Sequence, residues 1–257
     1  MRNNQGFDDI GLVRRSVLFA SDLDNTLIHS YRVAEAGDIC VETRDGKKLS
    51  FMSPKSRGIL KDIAARCAFV PVTTRSLEQY RRLDLGVKPK YALVANGALL
   101  LTDGEVDGLW AAETRRGLNV TLPDVEPGEF LFDIRRVDDF FIFAKSKDPP
   151  RAVEYLKAVL KDSVFEARSV HDKIYILPAG LDKGVAVKRL RERISSGCVI
   201  CAGDSELDLP MLEIADMAIV PETLAPWLER ARVLPSKTFM SELPGIIREM
   251  VSRQSRI

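Results

Sequence analysis

Histidine is nearly absent from this chain, with 2 in 257 residues, and cysteine is sparse at 4. A structural zinc site draws its ligands from clustered cysteines and histidines, and no such cluster is present. Cys198 and Cys201 do form a CxxC, but it lies inside an apolar run read as a strand, where an odd spacing puts the two side chains on opposite faces. Both are read as small core residues. An excess of one charge is missing too. Lys and Arg number 38 against 37 Asp and Glu, a net charge of +1, which offers no footprint for nucleic acid or an acidic membrane surface. No apolar run approaches the length of a membrane span. Residues 1–15 are polar and mixed in charge, with no apolar core after a basic start, so no secretory signal is read there. A soluble, cytoplasmic protein with neither a nucleic-acid nor a membrane partner is expected.

What the chain does have is apolar residues (46%), enough for a sizeable core. A short buried strand, Val17-Leu18-Phe19-Ala20, runs into Asp22 and Asp24. Two acids at the end of a buried strand are costly unless a metal ion or a lysine meets them. In open α/β sheets the carboxyl ends of the strands are where ligands bind.

The rest of the core has an α/β rhythm. Asp45-Gly46 between two alternating runs signals a hairpin beside the acidic strand end. Ser53-Pro54 opens a helix over 54–67. A strand over 68–72 ends in Thr73-Thr74-Arg75-Ser76, a helix over 77–83 follows, and a strand over 91–94 ends in Asn96-Gly97. This is β-α-β-α-β, the pattern of a parallel sheet with helices on its faces. From 101 to 178 the reading is helix (106–118), strands (129–134 and 139–145), helix (149–161) and strands (164–168 and 173–177). That makes a small αββαββ insert. The α/β rhythm resumes with a helix over 182–194, a strand over 198–202 and a helix over 209–214. A strand over 217–220 and helices over 224–231 and 241–252 close the chain.

The expected fold class is therefore α/β, a Rossmann-like parallel-sheet core (1–100 and 179–257) enclosing an α+β cap (101–178). Asp22 and Asp24, Thr73, Lys183, and Asp204 with Asp208 line up at strand ends and helix starts. These groups suit phosphoryl transfer. A carboxylate attacks, a second carboxylate moves the proton, and a hydroxyl and a lysine neutralise charge. Magnesium suits oxygen ligands rather than the few His and Cys available.

At this point the sequence resembles the haloacid dehalogenase superfamily of phosphatases. Asp22-Leu23-Asp24-Asn25-Thr26 is similar to its first motif, and Val72-Thr73-Thr74-Arg75-Ser76 to the second-motif block of the subfamily whose cap follows the third core strand. Asn96-Gly97-Ala98 resembles the turn into that cap, Asp182-Lys183-Gly184 the third motif, and Gly203-Asp204-Ser205-Glu206-Leu207-Asp208 the fourth. The resemblance implies Asp22 as nucleophile and metal ligand. It implies Asp24 as general acid/base with its backbone carbonyl on Mg2+, and Thr73 and Lys183 as phosphoryl holders. Asp204 and Asp208 complete the metal set. Thr74, Arg75 and Asn96 are substrate-binding candidates, with Asn96 equally readable as a turn residue.

Two departures stand out: Leu207 where the family carries Asn, and Thr74 where it carries Gly. The expected activity is Mg2+-dependent hydrolysis of a small phosphorylated metabolite, such as a sugar or polyol phosphate, through an aspartyl-phosphate. A phosphomutase of the same superfamily, or a catalytically weakened regulatory member, stays open. The basic residues of the insert, His171 among them, are left unassigned. A cap of this kind is expected to hinge near 99–102 and 178–181.

Overall fold

The structure is a computed structural model that describes residues 17–254; the polar segment 1–15 read above lies outside the described residues. In chain order its strands and helices begin with β1 (Val17–Ser21), β2 (His29–Ser30), β3 (Ile39–Arg44), β4 (Lys47–Met52), α1 (Pro54–Ala64), β5 (Ala68–Pro71), α2 (Leu77–Arg81) and β6 (Tyr91–Val94). β7 (Leu99–Thr102), β8 (Glu105–Val106), α3 (Gly108–Leu118), β9 (Phe132–Val137), β10 (Phe141–Lys145), α4 (Pro149–Val159), β11 (Phe165–Val170) and β12 (Lys173–Pro178) follow. The chain closes with α5 (Lys183–Arg193), β13 (Cys198–Ala202), α6 (Leu209–Glu213), β14 (Met217–Pro221), β15 (Arg232–Leu234) and α7 (Phe239–Gln254).

The central sheet is parallel, in the order β15-β14-β13-β1-β5, so β1 lies in its interior. A single parallel bridge between Val72 and Leu93 carries the sheet on to β6. Both faces of β1 are covered, which is why its residues form an unbroken apolar run rather than an alternating one. Val17 and Phe19 pack with α1 and α7; Leu18 and Ala20 pack with α5 and α6. Cys198 joins the first of these clusters and Cys201 the second, as the odd spacing implies. No helix among the described residues is long and apolar enough to cross a membrane.

The expected hairpin is present. β3 and β4 meet at a two-residue turn in which Asp45 (φ 51°) and Gly46 (φ 74°) both have positive φ, and β2 adds a third strand. Three sequence expectations need correction. Residues 99–106, read as a hinge and the start of a helix, form the β7–β8 hairpin around Asp103-Gly104, again with positive φ at both residues. The helix over 106–118 exists as α3, but it packs on the parallel sheet. Its Trp110 is 1% exposed, shares a cluster with Leu18 and Val70, and donates from Nε1 to the Gly97 carbonyl at 3.1 Å. Arg189 of α5 stacks on the Trp110 ring, 3.7 Å from its centroid. Only one helix, α4, therefore accompanies the inserted antiparallel sheet, whose order is β11-β12-β10-β9. Finally, the helix over 224–231 is a 3-10 turn (Glu222–Trp227) followed by the edge strand β15. Pro226 lies inside that turn, and an interior proline removes an amide donor and clashes with the preceding turn.

One face of the inserted sheet packs on α4 through Ile142, Ala144, Ile174 and Ile176. The other presents Phe141, Phe143, Tyr175 and Leu177 to Leu99, Leu101 and Leu207. On the core side, α5 and α6 approach so closely that a Cβ at Gly184 would lie 2.3 Å from the Pro210 carbonyl oxygen. Gly184→Ala is expected to lower stability by about 1–3 kcal/mol through overpacking. Gly58→Ala, where nothing lies within 4 Å, is expected to raise it by roughly 0.5–1 kcal/mol. Urea unfolding midpoints of the two variants check the contrast.

Candidate active site

The amide of Asp22 donates to the Ala202 carbonyl at 2.9 Å, pinning the residue after β1 against the end of β13. Lys183 is the first residue of α5, whose N-terminus is capped by Asp182 accepting from the Val185 amide. The Lys183 side chain runs inward with only 1% of the residue exposed, and its Nζ donates to Asp22 Oδ1 and Asp208 Oδ1, both at 2.6 Å. The other oxygen of Asp208 accepts from the Asp204 amide (3.1 Å), the Ser205 amide (3.0 Å) and Ser205 Oγ (2.9 Å). This turn requires Gly203, where a Cβ would stand 2.4 Å from the Asp208 Cβ. Asp204 in turn accepts from Thr26 Oγ1 at 3.1 Å.

Oxygens of Asp22, Asp204 and Asp208 all lie within 4.8 Å of one another. Three carboxylates thus share one ammonium. Burial pushes the Asp22 carboxyl well above its ordinary range; Lys183 opposes the shift and the neighbouring acids Asp208 and Asp204 add to it. Burial, reinforced by Asp208, raises Asp204 to about 7. Lys183 moves the other way from a lone buried lysine, because Asp208 and Asp22 outweigh its burial and hold it protonated. An all-oxygen donor set carrying uncompensated negative charge fits a hard divalent cation such as Mg2+.

Asp24 stands apart from this cluster. Its carboxylate takes two hydrogen bonds from Arg75, each 2.8 Å. Burial would raise this carboxyl, but the Arg75 charge and its hydrogen bonds hold it below the usual range. Arg75 is itself fixed by Glu42 of β3 at 2.8 Å and by Ser50 of β4 at 3.2 Å, and Glu42 also pairs with Arg82 at 3.1 Å. A buried ionic ladder therefore ties the β3–β4 flap to Asp24. Arg75, expected as a substrate contact, is engaged within the protein.

The remaining candidates divide. Thr73 is fully buried after β5, its amide bonded to the Leu93 carbonyl and its hydroxyl accepting from the Arg75 amide. The neighbouring Thr74 is the one that faces the cavity above Asp22. Asn96, in a left-handed conformation (φ 58°), is buried and donates from Nδ2 to the Leu181 carbonyl at 3.0 Å, joining the turn after β6 to the segment that returns from the insert.

The cavity over Asp22, Asp24 and Lys183 has a volume of about 30 Å³ and is closed by the β11–β12 hairpin of the insert, through Val170, His171, Lys173 and Tyr175. Lys173 and Tyr175 are not among the candidates of the sequence, although β12 carries their signal: its even residues Ile174 and Ile176 fill the insert's own core, which turns 173 and 175 to the other face.

Residues 119–221 match the family of haloacid dehalogenase-like hydrolases, a span that holds the inserted sheet and the Lys183 and Asp204–Asp208 motifs. Phosphoglycolate phosphatase 2 of Saccharolobus solfataricus is 26% identical over 226 residues, covering 86% of this chain and 85% of that protein. The solved sucrose-phosphatase from Synechocystis sp. PCC6803, in complex with sucrose and phosphate, has a TM-score of 0.60 at 15% identity, covering 94% of this chain and 98% of its own. A haloacid dehalogenase-like hydrolase from B. subtilis has a TM-score of 0.56 at 16% identity, covering 89% and 98%. The structural likenesses show the fold, and the family match agrees with the motif order.

Two outcomes follow from the electrostatics. Glu42→Gln removes the carboxylate that Arg75 and Arg82 share, leaving Arg75 to Asp24 and Arg82 to the exposed Glu78, and a loss of about 2 kcal/mol is expected. For a chain of this size that lowers Tm by roughly 4–8 °C, which a thermal scan reads. The raised Asp204 favours the protonated folded state, so the stability it contributes is complete below the ordinary carboxylate range and is lost as pH rises through about 7. Tm in EDTA is therefore expected to fall as pH rises across that range. Added Mg2+ is expected to raise Tm more above that pH than below it.

Proposed function

We propose that this chain is a Mg2+-dependent phosphohydrolase that releases phosphate from a small phosphorylated metabolite through an aspartyl-phosphate on Asp22. The observation that carries this is Asp22 itself, at the end of an interior strand, oriented by Lys183 at 2.6 Å and grouped with Asp204 and Asp208. Relatives named as phosphatases of phosphoglycolate and of sucrose phosphate support the reaction type.

A divalent cation held by Asp22, Asp204 and Asp208 would supply positive charge to the phosphoryl oxygens. Lys183 opposes the protonation of Asp22 that burial favours and keeps its carboxyl in place for attack on phosphorus, and its own charge lowers the repulsion between carboxylate and phosphate dianion. Asp24 handles the proton. Arg75 keeps it ionised, the form that accepts a proton from the water that later cleaves the acyl-phosphate. An incoming phosphate dianion opposes Arg75 and raises the proton affinity of Asp24, the state that protonates the leaving oxygen.

The lid is the inserted sheet with α4, joined to the core through 119–121 and 178–181. Because α3 and the β7–β8 hairpin pack with the core, we place the first hinge after α3 rather than at 99–102. Closure would exclude bulk water during transfer.

The test is release of inorganic phosphate from p-nitrophenyl phosphate. Activity is expected to vanish in EDTA and in Asp22→Asn, and to fall by about 10²–10⁴ in Asp24→Asn. Full activity in Asp22→Asn would overturn the covalent route. Isomerised ester in place of free phosphate, with a sugar 1-phosphate as substrate, would overturn the hydrolase reading.

A further inference from the structure

Three cations lie at or beside the cavity, and their partners differ. Lys183 is held between Asp22 and Asp208, and Arg75 between Asp24 and Glu42. Lys173, half-buried on the inserted sheet, makes no hydrogen bond or ion pair among the described residues. Burial disfavours its charge, yet the nearby Tyr175, Asp24 and Asp22 keep it protonated. A half-buried ammonium that lines the cavity and makes no direct ion pair has donors that a ligand can engage.

The side from which Lys173 enters indicates which part of the ligand it meets. The phosphoryl group must approach Asp22, where Lys183 and the oxygen cluster lie on the core. Lys173 enters from the lid, across the cavity, with the Asp24 carboxylate and the Tyr175 hydroxyl among its neighbours. Asp24 is the residue that protonates the departing oxygen, so Lys173 faces the leaving group. Leu207 and Val170 form apolar parts of the cavity wall.

Resting on the phosphohydrolase reading above, we propose that Lys173 is a specificity residue that pairs with a carboxylate on the leaving group, so that the preferred substrates are phosphate esters of hydroxy acids. Phosphate departs to Asp22, the ester oxygen takes its proton from Asp24, and the product is the free hydroxy acid still paired with Lys173. Lid opening then releases it.

The experiment compares kcat/KM for 2-phosphoglycolate, for 2-hydroxyethyl phosphate (similar in length, with an uncharged leaving group) and for a hexose 6-phosphate. It uses the full chain, Lys173→Met and Lys173→Arg. The unaltered chain is expected to favour the carboxylate ester at least tenfold over each of the others. Lys173→Met should lower activity on 2-phosphoglycolate at least tenfold more than on the hydroxyethyl ester, with the loss mainly in KM, and Lys173→Arg should restore part of the preference. An equal fall on both short esters would make Lys173 a phosphoryl or packing residue and overturn the proposal. So would hydrolysis of p-nitrophenyl phosphate with no preference for the carboxylate ester, an outcome that leaves the phosphohydrolase reading intact. Absence of phosphate release from every ester would overturn both.

Discussion

Asp22, Asp204 and Asp208 place three carboxylates around one ammonium in the interior of the protein, and much of the surrounding backbone is arranged so that this can persist. Their repulsion is relieved locally in three ways: by Lys183, by the amides and hydroxyl that converge on Asp208, and by Thr26 on Asp204. Each of these donors needs the chain to come closer than a side chain at two positions would permit. Gly203 lets the turn after β13 fold back on Asp208, and Gly184 lets α5 settle against α6 with Lys183 aimed at Asp22. The residual negative charge is what gives a divalent cation a reason to bind there. Catalytic charge and backbone packing are thus one problem, solved by the same few residues.

The second charged system has the opposite balance. Arg75 and Arg82 meet Asp24 and Glu42 with nearly every donor and acceptor matched, and the ladder runs outward from the site into the β3–β4 flap. Its members come from β3, β4, the segment after β5 and the end of α2, far apart in sequence. The first cluster is under-compensated and open to a ligand, whereas this one is closed on itself and holds the Asp24 carboxylate in one orientation.

That difference also explains what could be read in the sequence and what could not. The strand ends carry their acids, threonine and lysine in short local patterns, so Asp22, Asp24, Thr73, Lys183, Asp204 and Asp208 are visible one motif at a time. The parallel core follows from its apolar runs, and the Asp45-Gly46 hairpin from its turn chemistry. The Asp103-Gly104 turn carries the same signal, but it directly precedes the helical pattern of 106–118, which masks the short strands on either side of it. Glu42 and Arg82 look like solvated charges until tertiary pairing buries them. Lys173 is told from its basic neighbours only by the alternation of β12, and Arg75 and Asn96 have partners set by contacts over long stretches of chain.

Trp110 has a mechanical consequence. By fastening α3 to the core it leaves the inserted sheet and α4 joined to the core through two short connections, 119–121 and 178–181. A body held this way would turn about those connections. β12 then acts as an arm with its fulcrum beside the start of α5, and Lys173 sits at the far end, roughly 17 Å away at the usual rise per strand residue. On an arm of that length, a rotation of about 10° carries the Lys173 ammonium roughly 3 Å, the length of one hydrogen bond. A small angular error in closure is thereby converted into complete loss or gain of contact at the tip. The residues near the fulcrum, Lys183 among them, scarcely move.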